Sequence, residues 1–217
     1  MKIDENTITV LKNFAKINPS IIIREGNILK TISPSKTIMA KAKVTTEFNN
    51  RFALYNLDRF ISTLSLFENP ELIFDEKHVD ISDADKKTRY TYADENTIAK
   101  VPENDIILPS VDISFKLTNS NLKNIERALG VLGLPEMIVS GDGSNISLQA
   151  IDMKVQNGDS YSITICETDR VFKAIFKSEN IKILPGDYDV EISSRGISNF
   201  KSAEVEYMIA IEQSSTF

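Results

Sequence analysis

The sequence contains two similar stretches that lie about half a chain length apart. Residues 10–17 read VLKNFAKI, and residues 121–132 read NLKNIERALGVL. Three pairs of residues match at one constant offset, about half of the 217-residue chain: Lys12 with Lys123, Asn13 with Asn124, and Lys16 with Arg127. A repeat of this length indicates two copies of one structural unit. The sequence therefore predicts two tandem domains of similar fold.

Both stretches have the residue spacing of an amphipathic helix. The predicted apolar faces consist of Val10, Leu11, Phe14 and Ile17 in the first helix and Leu122, Ile125, Leu129 and Leu132 in the second. The predicted polar faces consist of Thr9, Lys12, Asn13 and Lys16 in the first helix and Ser120, Lys123, Asn124 and Arg127 in the second. Each polar face thus carries two cations that are four residues apart.

The repeated cation pairs point to a surface for a polyanion. Like charges at i and i+4 cost an isolated helix roughly 0.2–0.5 kcal/mol per pair. One such helix alone is typical of an ordinary solvated surface, but the matched register in both halves favours a basic binding surface. Arg59, on the polar face of a further predicted helix, and Lys182 are weaker candidates for the same surface.

The composition is that of a soluble globular protein. Hydrophobic residues make up 41% and charged residues 26%, and without a long apolar run neither a transmembrane helix nor a signal peptide is expected. A single cysteine, Cys166, excludes an intrachain disulfide framework and is typical of a reducing cytoplasm. The net charge of −6 alone opposes nucleic-acid binding. However, residues 6–20 contain lysines and no acid, whereas acid is concentrated in 68–85, so base is confined to chosen helices.

The first half predicts a helix, four strands, a second helix and further strands. Two apolar runs flank Gly26 and predict a β-hairpin over residues 21–32. The remaining predicted elements are strands over 36–43 and 47–55, a helix over 56–67 with Asn56 as its N-cap, and strands over 71–74, 78–82 and 88–93. Residues 94–110 are polar and contain Pro102 and Pro109, as is typical of an interdomain connector.

The second half repeats the same order of elements. The predictions are a strand over 113–117, a helix over 119–132, a hairpin over 137–152 around Gly143, strands over 160–166 and 170–176, a short helix over 178–183, and strands in 187–193 and 204–212. The predicted fold class is α+β, with similar domains at 1–93 and 111–217 joined by the connector 94–110.

The motifs of common catalytic sites are absent. The sequence has no phosphate-binding P-loop and no GxGxxG, and its only histidine, His78, lies in an acidic segment. A His-based catalytic triad and a Cys/His metal site are therefore excluded. Cys166 follows an apolar alternation and is expected to be buried in a strand. We expect neither enzymatic activity nor a cofactor or metal.

Four segments of the sequence are similar to one known family. They are TITVLKNFAKINPSIII at 7–23, LYNLDRFISTLSL at 54–66, LPGDYDVEI at 184–192, and EYMIAIEQSST at 206–216 before Phe217. With these segments the chain resembles the sliding clamps, or polymerase processivity factors, of T-even-like bacteriophages. The segments are spread over nearly the whole length, whereas the helix of the second half matches more loosely.

The resemblance implies a homotrimeric ring of six similar domains, with helices lining a hole and β-sheets on the outside. Such a ring encircles duplex DNA, tethers the replicative DNA polymerase to its template, and is loaded by an ATP-dependent clamp loader. Members of the family also act as mobile activators of late viral transcription. The chain would then work in the cytoplasm of the infected host cell, without a membrane.

A closed ring explains how an acidic chain can serve DNA. The ring cannot dissociate sideways, so weak, sequence-independent phosphate contacts are enough and allow sliding. The residues expected to face DNA are Lys12, Lys16, Arg59, Lys123, Arg127 and Lys182.

The resemblance also implies two protein interfaces. By analogy with the family, residues 88–93 of one subunit pair with 160–166 of the next, through Tyr90, Tyr92, Tyr161, Ile163 and Ile165. Clamps receive a short apolar peptide of a partner near the connector and the C-terminal segment. The matching apolar residues here are Ile106, Leu108, Pro109, Met208, Ile209 and Ile211.

Two other interpretations fit the sequence. One is a β-rich structural or assembly protein of a phage, whose cation pairs are incidental. The other is a monomeric DNA-binding accessory factor. Oligomeric mass, together with retention on circular but not linear DNA, distinguishes the three.

Overall fold

The computed structural model describes residues 1–217, which divide into two compact units. Unit 1 is Met1–Asn104 and unit 2 is Asp105–Phe217. The division falls within the segment 94–110, where a single 3-10 turn, Glu95–Thr97, is the only regular element. No helix in the structure has the length and apolar character needed to span a membrane.

Unit 1 contains two α-helices and seven strands. In chain order they are α1 (Glu5–Ile17), β1 (Ile21–Ile23), β2 (Gly26–Ile32), β3 (Ile38–Phe48), β4 (Phe52–Leu54), α2 (Leu57–Leu64), β5 (Glu71–Phe74), β6 (His78–Asp83) and β7 (Lys86–Thr91). β3 is longer and β4 shorter than predicted, because Phe48 is still part of the ladder to β2.

Helix α1 begins at a side-chain cap and buries a wide face. The carboxylate of Asp4 accepts a hydrogen bond from the backbone N–H of Thr7 at 2.9 Å, which satisfies a free donor of the first turn. The predicted apolar face is buried as expected. Asn13, however, was predicted on the polar face and is buried, because α1 packs against both α2 and β3 and its buried arc exceeds the apolar stripe.

The predicted hairpin over residues 21–32 is wrong. Strand β1 pairs antiparallel with β4, in register Ile21 to Leu54, and β2 pairs antiparallel with β3. The side chain of Asn18 donates from Nδ2 to the carbonyl oxygen of Ile32 at 2.8 Å. A side chain thus satisfies a main-chain acceptor at the end of β2. Strands β1 and β2 lie in separate sheets.

The rest of unit 1 is a three-stranded sheet in the order β5-β6-β7. Met1 pairs with Leu72 of β5 through both main-chain groups, at 2.6 and 2.8 Å. Strand β7 starts two residues earlier than predicted, because Asp83 pairs with Lys86 across a tight turn in which Ala84 is left-handed. The helix predicted over 56–67 is capped by Asn56 as expected but ends at Leu64, where the bonding tightens to i→i+3.

Unit 2 contains one α-helix and eight strands. In chain order they are β8 (Ile113–Leu117), α3 (Asn119–Leu132), β9 (Glu136–Asp142), β10 (Asn145–Ile151), β11 (Ser160–Glu167), β12 (Val171–Lys177), β13 (Tyr188–Ser193), β14 (Ile197–Lys201) and β15 (Val205–Ala210). The hairpin predicted around Gly143 is confirmed, since β9 pairs antiparallel with β10.

Unit 2 contains one continuous four-stranded sheet in the order β11-β10-β9-β12. The second ladder of the unit joins β8 to β13, β13 to β14 and β14 to β15, all antiparallel. α3 packs against β9, β10 and β11 and ends at Gly133, whose left-handed φ of 63° closes the helix.

Three expectations for unit 2 are wrong. The helix predicted over 178–183 is only a 3-10 turn, Ser178–Asn180, because Ile181 leaves helical geometry shortly before Pro185. Leu132 is exposed, since it lies in the last turn of α3, beyond the buried residues of that helix. Cys166 is exposed, because it lies on the outward side of the edge strand β11.

Candidate nucleic-acid interface

The cations of α1 project from unit 1 as predicted. Lys12 and Lys16 are both exposed, while the apolar residues between them are buried. Lys16 lies in the last turn, where the partial negative charge of the helix C-terminus favours a cation. Arg59 is exposed on α2, which packs against α1. The structure therefore brings three candidate cations onto two neighbouring helices of unit 1.

The cations of unit 2 have acidic neighbours. Lys123 and Arg127 are exposed on α3, but Glu126 lies between them in the same helix. Glu126 also lines a groove with Glu179 of the 3-10 turn. Lys182, a few residues further on, is half-buried. The two cations on α3 match those on α1 in spacing, yet the surface around them is less basic.

Strand β7 is a free edge of unit 1 that carries aromatic residues. Tyr90 packs edge-to-face on Phe60 at 5.3 Å between ring centroids and donates its hydroxyl to the carbonyl oxygen of Asn56. Tyr92, just beyond the strand, stacks on Phe52 at 5.1 Å. Burial raises the pKa of Tyr92 to about 12, and its buried hydroxyl oxygen makes no hydrogen bond. Both predicted tyrosines are thus half-buried next to an open edge.

Strand β11 is the corresponding open edge of unit 2. Its burial alternates along the strand: Tyr161, Ile163 and Ile165 are half-buried, and the residues between them are exposed. Only β10 pairs with it, so its outer main-chain groups lack a strand partner in the chain. Such an edge requires a cover or a pairing partner.

The charges on the two edges differ in sign. Strand β7 carries Lys86, Lys87 and Arg89, whereas β11 ends at Glu167. Within unit 1, the hydrogen bond from Arg89 lowers the pKa of Asp80 to about 2, with Lys87 contributing further. Lys86 pairs in register with Asp83 across the turn. Although Asp80 and Asp83 lie next to these cations, strand β7 still carries three cations and is the more basic of the two edges.

The predicted partner site contains both open and buried residues. Ile106 and Leu108 are half-buried and Pro109 is exposed. Met208, Ile209 and Ile211 are buried, because they pack in the core of unit 2, and thus offer no open surface. Ile107 was missing from the predicted set, although it is 84% exposed and is the most exposed large apolar residue. The sequence signal that could have identified Ile107 is its position in an apolar run next to a proline.

Sequence and structure comparisons identify related proteins. Residues 114–213 match the family model described as gp45 sliding clamp, C terminal. The sliding clamp of Vibrio phage KVP40 is 34% identical over 98% of this chain and 99% of that protein. The sliding clamp of Escherichia phage RB69 is 28% identical over 100% of this chain and 99% of its own length.

The fold is also found in a solved structure. A. fulgidus PCNA, determined with the C-terminal region of FEN-1, has a TM-score of 0.71 to this chain at 13% identity, over 94% of each chain. At that identity the likeness shows the fold alone. It confirms the α+β clamp fold that the sequence predicted.

Proposed function

The chain belongs to the sliding clamps of T4-like bacteriophages, and on that premise we propose that it forms a closed homotrimer around duplex DNA. Proteins of this family are non-enzymatic processivity factors that bind DNA and serve a polymerase. The observation that carries the proposal is the 34% identity to the KVP40 clamp over nearly the full length of both chains. A role as a virion structural protein has no comparable support.

The exposed cations of α1, α2 and α3 face the phosphates in this proposal. Few cations per subunit suffice, because closure rather than affinity keeps the ring on DNA. The clamp would need an ATP-dependent loader to open it, and would act in the cytoplasm of the infected host. A role in late viral transcription belongs to the same proposal. Retention of the loaded protein on circular DNA, and its loss after linearisation, tests the encirclement.

The subunit joint is an antiparallel pairing of β7 with β11 of the next subunit. One register puts half-buried residues opposite each other: Thr88 opposite Ile165, Tyr90 opposite Ile163, and Tyr92 opposite Tyr161. The same register puts Lys86 opposite Glu167, and opposite charges facing across strands stabilise a pair. It also puts Lys87 opposite Cys166, both exposed in the single chain.

The only cysteine of the chain tests this register. Opposed residues of antiparallel strands have Cα atoms about 4.5–5.5 Å apart, within the range of a disulfide. A Lys87→Cys variant should therefore form a covalent trimer with the native Cys166 under mild oxidation, visible on a non-reducing gel. In the background Cys166→Ser, the same variant should stay uncrosslinked.

Arg89→Cys is the matched control. It lies on the same side of β7 but two residues further on, which is a diagonal separation of about 7–8 Å and too long for a disulfide. Efficient linkage of Arg89→Cys instead of Lys87→Cys would shift the register by two residues. A wild-type protein that is monomeric at micromolar concentration by light scattering would contradict the ring itself.

A further inference from the structure

The loop between β10 and β11 holds Asn157 and Gly158 in a backbone that accepts few other residues. Asn157 has a left-handed φ of 58°, a conformation that Asn adopts more readily than most residues with a Cβ. A Cβ added to Gly158 would lie 2.9 Å from Cγ1 and 3.1 Å from Cβ of Val155. Because a branched valine side chain rotates little, it cannot easily make room. The shape of the loop therefore favours an Asn-Gly pair here.

An Asn-Gly pair is the sequence in which the side-chain amide of Asn is lost most easily. The backbone nitrogen of the glycine can close a five-membered ring with Cγ of the Asn, and glycine has no side chain to hinder the approach. Asn is among the thermolabile residues of proteins. Asn157 is the only Asn of the chain that precedes a glycine. The other Asn residues are therefore slower sites for the same reaction.

The structure leaves the reacting groups accessible. Asn157 and Gly158 are both exposed. The N–H of Gly158 donates to the carbonyl oxygen of Val155 at 3.4 Å. Bonds of this type are ordinarily about 2.7–3.2 Å long, so this one holds the N–H only weakly. Hydroxide can therefore reach the N–H of Gly158, and water can reach the carbonyl groups of Asn157.

The chemically related pair Asp142-Gly143, in the hairpin of β9 and β10, is protected. The Asp142 carboxylate accepts hydrogen bonds from the N–H groups of Asn145 and Ser144, at 2.7 and 2.8 Å. These bonds lower the pKa of Asp142 and keep the carboxyl group ionised. A carboxylate anion is a poor electrophile for a backbone nitrogen. The side chain of Asn157 is a neutral amide, so ionisation gives it no such protection.

We propose that Asn157 is a site of spontaneous deamidation, and that the modification weakens the joint between β11 and β7 of the next subunit. The Gly158 nitrogen gives its proton to hydroxide and bonds to Cγ of Asn157, and the side-chain nitrogen takes a proton from water and leaves as ammonia. Water then opens the succinimide, at the side-chain carbonyl to give aspartate or at the main-chain carbonyl to give isoaspartate. In sum the protein gains water and loses ammonia, and either product adds one negative charge.

Both changes fall at the entry to β11, which begins at Ser160. Isoaspartate leads the main chain through the side-chain methylene and so lengthens the backbone by one carbon just before the strand. In the register of the proposed joint, Asp159 lies opposite Asp94 of the neighbouring subunit, so this end is already acidic. Opposed like charges destabilise a strand pair, and a new anion at position 157 adds to the repulsion. This effect on the joint rests on the proposed function.

Ageing of the full chain at mildly alkaline pH tests the modification. Peptide mapping by mass spectrometry should find deamidation at Asn157 at least tenfold faster than at Asn50, which is also exposed but precedes Arg51. The rate should rise with pH, because hydroxide removes the proton of Gly158. Methylation by an isoaspartate-specific methyltransferase identifies the isoaspartate fraction. Equal rates at Asn157 and Asn50 would overturn the proposed modification.

Two variants separate the charge from the change in the backbone. Asn157→Gly removes the reactive amide and accepts the left-handed φ. After the same ageing, its trimer should dissociate in sedimentation at the same concentration as fresh wild type. Aged wild type should dissociate at a concentration at least threefold higher, and unaged Asn157→Asp, which adds the charge alone, should show a smaller increase.

Failure of this proposal is distinguishable from failure of the ring. A fully deamidated trimer that dissociates like the fresh protein would overturn the effect on the joint. So would equal weakening of aged wild type and aged Asn157→Gly, because the damage would then lie elsewhere. Fresh protein that is monomeric at micromolar concentration would contradict the ring and with it the joint, whereas the peptide map would still report the chemistry at Asn157.

Discussion

Unit 1 and unit 2 contain the same order of elements after the first helix, but they pair their strands differently. In unit 2 the four strands after α3 form one sheet, β11-β10-β9-β12. In unit 1 the four strands after α1 form two pairs, β1 with β4 and β2 with β3. A repeat therefore preserves chain order more strictly than it preserves hydrogen bonding. The divergence leaves β1 and β2 of unit 1 in separate sheets.

The second difference concerns the helix that follows those strands. Unit 1 has an eight-residue α2, and unit 2 has a three-residue 3-10 turn. α2 adds Arg59 to the basic helices of unit 1, whereas the turn in unit 2 adds Glu179 beside Glu126. The two units thus offer unequal surfaces to a polyanion despite their matched cation pairs.

The largest expected effect comes from reversing the cations of both units. Changing Lys12, Lys16, Lys123 and Arg127 to Glu should abolish processive synthesis with the loader, because the four side chains are exposed and face DNA in the proposed ring. The trimer should persist in sedimentation. Between the pairs, reversal on α1 should cost more than reversal on α3, whose surroundings are already acidic. Processivity that survives the fourfold change would remove the DNA assignment.

Two substitutions compare how much these elements stabilise their units. One removes a buried side chain in α2, and the other removes a buried side chain beside the 3-10 turn of unit 2. Phe60→Ala in α2 removes a fully buried ring and should cost about 3–5 kcal/mol in the free energy of unfolding. Ile181→Ala, beside the 3-10 turn of unit 2, should cost about 2 kcal/mol. Urea unfolding followed by NMR signals assigned to each unit measures both. Equal losses would mean that the short turn stabilises unit 2 as much as the helix stabilises unit 1.

The segment 94–110 differs between its two ends. Ile98 is buried in unit 1, whereas Leu108, which belongs to unit 2, is half-exposed. Leu108→Asp should weaken the polymerase's C-terminal peptide at least tenfold, about 1.4 kcal/mol, with thermal stability nearly unchanged. Ile107→Asp is the neighbouring test, and Ile98→Asp should instead destabilise the fold. Calorimetric titration that finds unchanged peptide affinity in both variants would move the partner site elsewhere.

The smallest expected effect concerns the residues that cap the N-termini of α1 and α3, of which one is charged and the other neutral. Burial raises the pKa of Asp4, but hydrogen bonds from Thr46 and Thr7 outweigh it and lower the pKa below 3.8. Its stabilisation is therefore present above pH 3.8 and is lost as the pH falls through the lowered value. The cap of α3 is the neutral Thr118. Asp4→Ala should cost about 1 kcal/mol at pH 7.

The control for this prediction is Asp4→Asn, which keeps a capping group without a charge. It should remove the part of the acid sensitivity that belongs to α1 and leave unit 2 unaffected. Hydrogen exchange of the α1 and α3 amides between about pH 5 and pH 3 measures it. An equal acid response of both helices in wild type would contradict the assignment to Asp4.

Local patterns predicted elements well where local forces decide them. The helix over 119–132 and the strand over 113–117 were predicted at their observed bounds, since caps and periodicity are local. The hairpin at Gly143 formed, but the similar one at Gly26 did not, because β1 pairs with β4 and β2 pairs with β3 instead. Such competition between distant groups is invisible in a sequence pattern.

The predicted site residues also divide into two groups: those whose exposure follows from local spacing, and those whose burial depends on the whole fold. The exposure of Lys12, Lys16, Lys123 and Arg127 follows from helical spacing alone. The stretch with Met208, Ile209 and Ile211 alternates little in hydrophobicity, so its sequence pattern alone could not distinguish a core strand from a docking surface. In the structure all three residues are buried.

Because the chain has a single cysteine, the reactivity of its thiol can report how often a subunit interface opens. Although Cys166 is exposed, desolvation by neighbouring protein groups raises the pKa of its thiol, so little reactive thiolate is present at neutral pH. If β7 of a neighbour covers it in the proposed joint, alkylation proceeds only while a joint is open. The labelling rate of unmodified protein then measures the opening frequency of the ring, and a loader that holds one joint open should accelerate it.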